Sequence, residues 1–218
     1  MEATIMKLAV AVLTYNRLPM LQRTLASMDA GAVHPFDRVV VDGGSADPAQ
    51  RAFVAEQPHF YQFPERVTVG ASMNKAIELA LAFGPEIVVF SADDYFYKVG
   101  WQSVLARFWR AAPADIALAT LNWEPTYPWN TVEADEIIGG VRTLIRASVP
   151  GSSWSFRAAD WPMIGPIADK TGGEDHEVNQ KLRAAGRRLA ALNLTEHIGE
   201  RESAWGNQSW TIAKPLVV

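Results

Sequence analysis

"EIVVFSADDYFYKVGW", residues 86–101, decides how this chain is read. Four apolar residues, Ile87 to Phe90, run straight into Ser91, Ala92, Asp93 and Asp94. An unbroken apolar run of that length suits a strand covered on both faces, as in a parallel sheet. Two adjacent carboxylates at its end admit two readings. One is a solvated turn, since Asp is common where strands stop. The other is a metal or phosphate site, because open α/β folds bind ligands in the crevice outside the carboxyl ends of their strands.

The flanking sequence repeats the pattern. Lys7 to Leu13 is a second continuous apolar strand, broken by "TYNR". Leu18, Leu21, Leu25 and Met28 then fall at helical spacing, with Pro19 near the helix start. "RVVVD" (38–42) is a strand ending in the turn "GGSADP", which can also cap the helix "AQRAFVAEQ". "HFYQF" is a short strand and "VGASMNKAIELALAF" a helix with Met73, Ile77, Ala80 and Leu81 on one face. After the quoted stretch come the helix "WQSVLARFWRAA" and the strand "DIALATL". Strands alternating with helices predict a parallel or mostly parallel sheet with helices on both faces.

Past Leu121 the character changes. "NWEPTYPWN" is rich in Pro and Trp, and "EIIGGVRTLIRAS" and "SSWSFRAADW" read as β-structure with bends. "GGEDHEVNQKLRAAGRRLAAL" opens with glycine and acids and becomes a helix ending at Gly186. The tail from Asn193 reads as irregular. The expectation is one domain over residues 1–218, with a nucleotide-binding half (1–120) and an acceptor and catalytic half (121–218) on a shared core.

Composition narrows the function. The chain has 218 residues, of which 49% are hydrophobic, so it can bury a core. A net charge of -4 gives no support to a broad nucleic-acid footprint. Cysteine is absent, which excludes disulfides, thiolate metal sites and thiol nucleophiles and fits a cytoplasmic location. No apolar run approaches the roughly 20 residues of a membrane span. The short apolar segment Leu8–Leu13 reads as the first strand rather than a signal peptide, since Glu2 precedes it and no small-residue cleavage site follows.

Three strand ends offer polar groups: Thr14, Tyr15 and Asn16; Asp42, Gly43, Gly44 and Ser45; Ser91, Asp93 and Asp94. In a parallel sheet they share one edge. A Gly-x-Gly-x-x-Gly fingerprint and a P-loop are both missing. A carboxylate pair at a strand end suits a divalent cation that itself holds a diphosphate, because phosphate oxygens and waters fill its remaining positions. Glu174, Asp175 and Glu177 form a second acidic cluster. It is either an electrostatic complement to a helix N-terminus or a general base beside an acceptor hydroxyl. The histidines lack metal-ligand spacing; His197, after an apolar run, reads as structural or as a site residue. Trp101 and Trp109 read as helix core. Among Trp123, Trp129, Trp154, Trp161, Trp205 and Trp210, one or two can offer a flat face to a sugar or base.

Together these segments resemble family 2-type glycosyltransferases with the GT-A fold, from about Leu8 to about Ser203. "AVAVLTYNRLPMLQRTLASM", "RVVVDGGSAD", "VGASMNKAIELA", "VVFSADDYFYKVGW", "GGEDHEVNQKLRAAGRRL" and "EHIGERES" resemble that family's successive motifs in order and spacing. The resemblance implies an α/β GT-A-type fold and a nucleoside diphosphate sugar donor, a UDP-sugar first. It also implies Mn2+ or Mg2+. Thr14, Tyr15 and Asn16 would line the nucleotide pocket, Asp42 would accept from the base, and Asn74 would sit near ribose or phosphates. Asp93 would be the main metal carboxylate and also border the donor, with Asp94 beside it and His197 assisting. Asp175, supported by Glu174, would be the base of an inverting transfer.

Two positions depart from the pattern. Ser91 stands where the family often has Asp, leaving a hydroxyl for a ribose or a metal-bound water. Met73 stands where Arg is frequent. The first departure motivates an alternative, a degenerate member that binds nucleotide sugar or glycan without turnover. A nucleotidyltransferase would need a glycine-rich basic loop, for which "LTYNRLP" offers only Arg17. The acceptor stays open among glycans, small molecules, lipid carriers, proteins and modified nucleic-acid bases.

Overall fold

The computed structural model describes residues 6–123 and 131–198. Trp129, Trp205 and Trp210 therefore lie outside the described residues. In chain order the elements are β1 (Leu8–Thr14), α1 (Leu18–Gly31), β2 (Asp37–Asp42), α2 (Pro48–Ala55), β3 (Phe60–Gln62) and α3 (Val69–Leu81). Next come β4 (Ile87–Ala92), β5 (Tyr95–Tyr97), α4 (Trp101–Ala111), β6 (Ile116–Thr120), β7 (Val132–Ile138) and β8 (Val141–Arg146). The last are β9 (Ser153–Arg157), α5 (Trp161–Ile164), α6 (Glu174–Ala184), β10 (Arg188–Ala191) and β11 (Thr195–His197).

Nine strands form one sheet in the order β3-β2-β1-β4-β9-β6-β10-β8-β7. The first four run parallel, as the alternating pattern predicts. Strand β9 runs antiparallel between β4 and β6, and β10 then pairs with β6 in parallel. The hairpin β7–β8 completes the mixed half. Its turn is Gly139–Gly140, at φ 59° and 73°, the positive region that a two-residue hairpin turn demands. A Cβ on Gly139 would also meet the Arg107 carbonyl at 2.3 Å.

Two apolar layers sandwich the sheet. Alternate residues of β1 divide between them: Leu8, Val10 and Val12 face α1, α2 and α4, while Ala9 and Ala11 face α3, α5 and α6. Trp101 and Trp109 are core, as their helical spacing suggests, and Trp154 is fully buried in the opposite layer. Burial on this scale is the main stabilising term, at roughly 25 cal/mol per Å² of apolar surface.

Register aligns the strand ends. Thr14 lies opposite Asp42, and Leu13 opposite Ala92. The segments after β1, β2 and β4 therefore leave one edge side by side. A second, two-stranded sheet forms where no strand is expected. Residues 95–97 continue past the carboxylates as β5 and pair antiparallel with β11, so that His197 lies opposite Tyr95. The stretch from Asn193, expected to be irregular, thus supplies a strand to this edge.

Candidate functional site

The turns after β1 and β2 are bolted together. Asn16 sits at φ 50°, a left-handed conformation that Asn tolerates. Its side-chain oxygen accepts from the amide of Ala46 at 2.9 Å, and its own amide donates to Ser45 Oγ at 2.8 Å. Asp42 is fully buried. Its Oδ1 accepts from the Ser45 amide and hydroxyl at 2.9 and 2.6 Å, while its buried Oδ2 has no partner. An orphaned carboxylate oxygen is costly to bury, and it is the atom a ligand N–H would satisfy. The turn tolerates no side chain at Gly44, whose φ is 91° and whose Cβ would lie 2.0 Å from the Glu65 carbonyl. Tyr15 is half-buried under the guanidinium of Arg66, 5.1 Å from the ring centre.

Behind these turns lies a polar hub that the sequence does not announce. Gln50, fully buried on α2, donates to Thr14 Oγ1 at 2.9 Å and Ser45 Oγ at 2.8 Å, and accepts from the amide of Arg17. Thr14 in turn donates to Asp93 Oδ2 at 2.6 Å. Arg17 reaches both carboxylates, with Nη2 2.6 Å from Asp93 Oδ1 and Nη1 2.8 Å from Asp94 Oδ2. Arg17 entered the sequence reading only as a lone basic residue. Its place directly after the Thr-Tyr-Asn turn, at the mouth of α1, is the signal that was available.

The two carboxylates are not equivalent. Asp93 is sealed from solvent, and burial pushes its carboxyl up to about 7 against the pull of Arg17. Burial acts to raise Asp94 as well, but the hydrogen bond from His197 and the charge of Arg17 outweigh it and hold that carboxyl below its ordinary value. The physical reason is charge balance. One guanidinium serves two acids, both penalised by burial, and His197 supports only Asp94. His197 Nε2 lies 3.2 Å from Asp94 Oδ2, and the Ile198 amide donates to the Asp94 carbonyl at 2.8 Å. Asp94 Oδ1 is buried without a partner.

The acidic start of α6 joins the same crevice through the loop before β9. Ala92 N donates to the Ser152 carbonyl at 2.7 Å, and the Tyr95 hydroxyl bonds Ser152 Oγ. The next amide back, Gly151 N, donates to Asp175 Oδ2 at 3.1 Å. A Cβ on Gly151 would stand 2.7 Å from Asp175 Cβ, so this approach needs glycine. Asp175 Oδ1 accepts from the His176 amide at 2.8 Å. Each oxygen keeps a second lone pair. Glu174, beside it, has Oε2 buried and unpartnered, and burial followed by the Asp175 charge pushes its carboxyl up.

The structure thus brings together Asp42, Tyr15, Asp94, His197, Asp175 and Glu174 along one sheet edge. It uses others differently. Ser91 is fully buried and its hydroxyl donates to the Ala92 carbonyl at 2.8 Å, turned away from the crevice. Asn74 uses one N–H and its carbonyl oxygen on the backbone of Ile167, donating and accepting at 2.8 Å, and so clamps the segment after α5 onto α3. Thr14 and Asn16 hold the frame. Asp93 faces Thr14 and Arg17. Among the described residues no group of three or more His, Asp or Glu is gathered for a metal ion.

The sequence model of Glycosyl transferase family 2 matches residues 9–157. Solved structures share the fold. A mannosyltransferase from Pyrobaculum calidifontis, in complex with GDP-Man and Mn2+, superposes with a TM-score of 0.62 at 19% identity over 89% of this chain and 58% of that one. GalNAc-T7 with UDP, GalNAc and Mn2+ gives 0.67 at 11% identity over 89% and 44%. TarS 1-349 of S. aureus with UDP-GlcNAc gives 0.63 at 18% identity over 89% and 60%. The chain therefore spans about half the length of these proteins. No curated protein sequence matches it.

Proposed function

From the premise that the chain belongs to Glycosyl transferase family 2, we propose that it moves a sugar from a nucleoside diphosphate donor to an acceptor hydroxyl, with inversion and with Asp175 as base. It is a glycosyltransferase of the GT-A fold, and among the described residues no helix is long and apolar enough to cross a membrane. The observation that supports the reading is the short path from Asp94 to Asp175 through Tyr95, Ser152 and Gly151, which links a carboxylate with an unpartnered oxygen, suited to a cation, to a second carboxylate that keeps open lone pairs. In this reading residues 1–120 bind the donor and residues 121–218 supply the acceptor side and the base.

The roles follow from the chemistry. Asp42 Oδ2, buried and unpartnered, accepts an N–H of the base, with Tyr15 beside it. A UDP-sugar fits such an acceptor, because uracil offers one N–H between two carbonyls. Asp175 takes the proton from the acceptor hydroxyl; its oxygen attacks the anomeric carbon, and the diphosphate leaves from the opposite face. Glu174 keeps a second carboxyl at its side. Asp94, with a free buried Oδ1, and His197 have the donor atoms to hold Mn2+ or Mg2+, which would neutralise charge on the leaving diphosphate. Asp93 supports this pair from within the core.

Calorimetric titration with a panel of nucleoside diphosphate sugars, in Mn2+ and then in EDTA, tests the reading. Binding of one donor, weakened by EDTA, is expected. Binding of none would overturn it, and binding without product from any acceptor or water would point to a member that does not turn over.

A further inference from the structure

The proposed cation ligand Asp94 is already shared with a cation of the chain's own. Arg17 is held at both ends: its amide by Gln50, and its guanidinium by Asp93 and Asp94 at 2.6 and 2.8 Å. Its side chain is only 17% exposed. The Asp94 oxygen it touches is the one His197 approaches at 3.2 Å, while Asp94 Oδ1 has no hydrogen-bond partner. Arg17 meets the wholly buried Asp93 as an ion pair and gives its side-chain hydrogen bond to Asp94. The second link ties a crevice residue.

We propose that Arg17 is a resident counter-cation that competes with the divalent metal for Asp94, so that the metal binds tightly only together with a nucleoside diphosphate. This rests on the reading of Asp94 and His197 as cation ligands. A divalent ion held by Asp94 would share one carboxylate with the Arg17 guanidinium, and like charges that near repel more strongly in a buried site than in water. A diphosphate brings negative charge that offsets this. Arg17 need release only Asp94, because Asp93 keeps its other nitrogen. Arg17 is a positioning residue here, acting through Asp94.

Electron paramagnetic resonance of Mn2+ with the full chain tests it, with and without UDP. Arg17→Gln is expected to tighten Mn2+ binding in the absence of UDP by about tenfold or more. Arg17→Lys keeps the charge and should stay near wild type, an outcome a purely structural role would not give. UDP should narrow the difference. Should Arg17→Gln not fold, Arg17→Gln with Asp93→Asn removes charge and partner together and should bind Mn2+ as tightly. Equal or weaker binding by the folded Gln variant, or identical behaviour of Gln and Lys, overturns the proposal while leaving the cation reading intact. No Mn2+ binding by wild type even with UDP overturns both.

Discussion

The hydroxyl of Thr24, on the inner face of α1, donates to the main-chain carbonyl of Asp93 at 2.7 Å and accepts from the amide of Tyr95 at 3.2 Å. A helix side chain here replaces the strand partner that the backbone loses where β4 ends. Both peptide groups are buried, so neither has water to turn to. Thr24→Val keeps the shape and removes both bonds. It should lower unfolding free energy by about 2–4 kcal/mol, read from urea titrations, and should weaken donor binding because the carboxylate turn loses its support.

Asp175→Asn keeps the side chain's size and the acceptor for the His176 amide at Oδ1, and gives up the acceptor for Gly151 N at Oδ2. Turnover should fall by about 10²- to 10⁴-fold, with the donor dissociation constant unchanged by calorimetry. A parallel loss of donor affinity would mean that Asp175 belongs to the donor pocket.

Gly151→Ala places a methyl 2.7 Å from Asp175 Cβ. Asp175 must move or turn, and positional errors of about 1 Å can cost a hundredfold in rate. We expect kcat to fall at least about tenfold while the thermal midpoint shifts little, since Gly151 is not in the left-handed region. Steady-state kinetics beside a thermal melt decides it.

Glu174 gives the pH dependence. Burial raises its carboxyl above the ordinary value, so the folded chain keeps this proton to a higher pH than the unfolded chain does. Between those two values folding binds a proton, and stability falls as pH rises. Below both, the contribution is fully present. Melting temperatures across pH 4 to 8 should decline less for Glu174→Gln than for wild type; identical slopes would refute this.

Much of the first 120 residues was legible because the signals there are local. The apolar runs of β1, β2 and β4 and the helical spacing of α1 and α3 carry the parallel half of the sheet. Gly139–Gly140 likewise marks the hairpin turn. Strand β5 was not legible, since "YFY" after two acids reads as loop until β11, from a hundred residues away, pairs with it. The insertion of β9 between β4 and β6 depends on long-range pairing with no local mark.

The site divides the same way. Residue type at a strand end flagged Asp42 and Asp94, and the acidic helix start flagged Asp175. Side-chain direction is a different matter. Ser91 points into the core because it continues the alternation of β4, and Asn74 is consumed by Ile167. Arg17, Gln50 and Gly151 act through contacts 24 to 77 positions away in the chain.

The pairing of β11 with β5 also sets a timetable. A ribosome adds about 5–20 residues per second, so a strand at residues 195–197 emerges about 5–20 s after its partner at residues 95–97. Over that interval Asp94 has Arg17 and no imidazole. A chain cut before residue 195 would keep the strands through β10 and yet lack His197, so this edge of the crevice is complete only once residues 195–197 have joined β5.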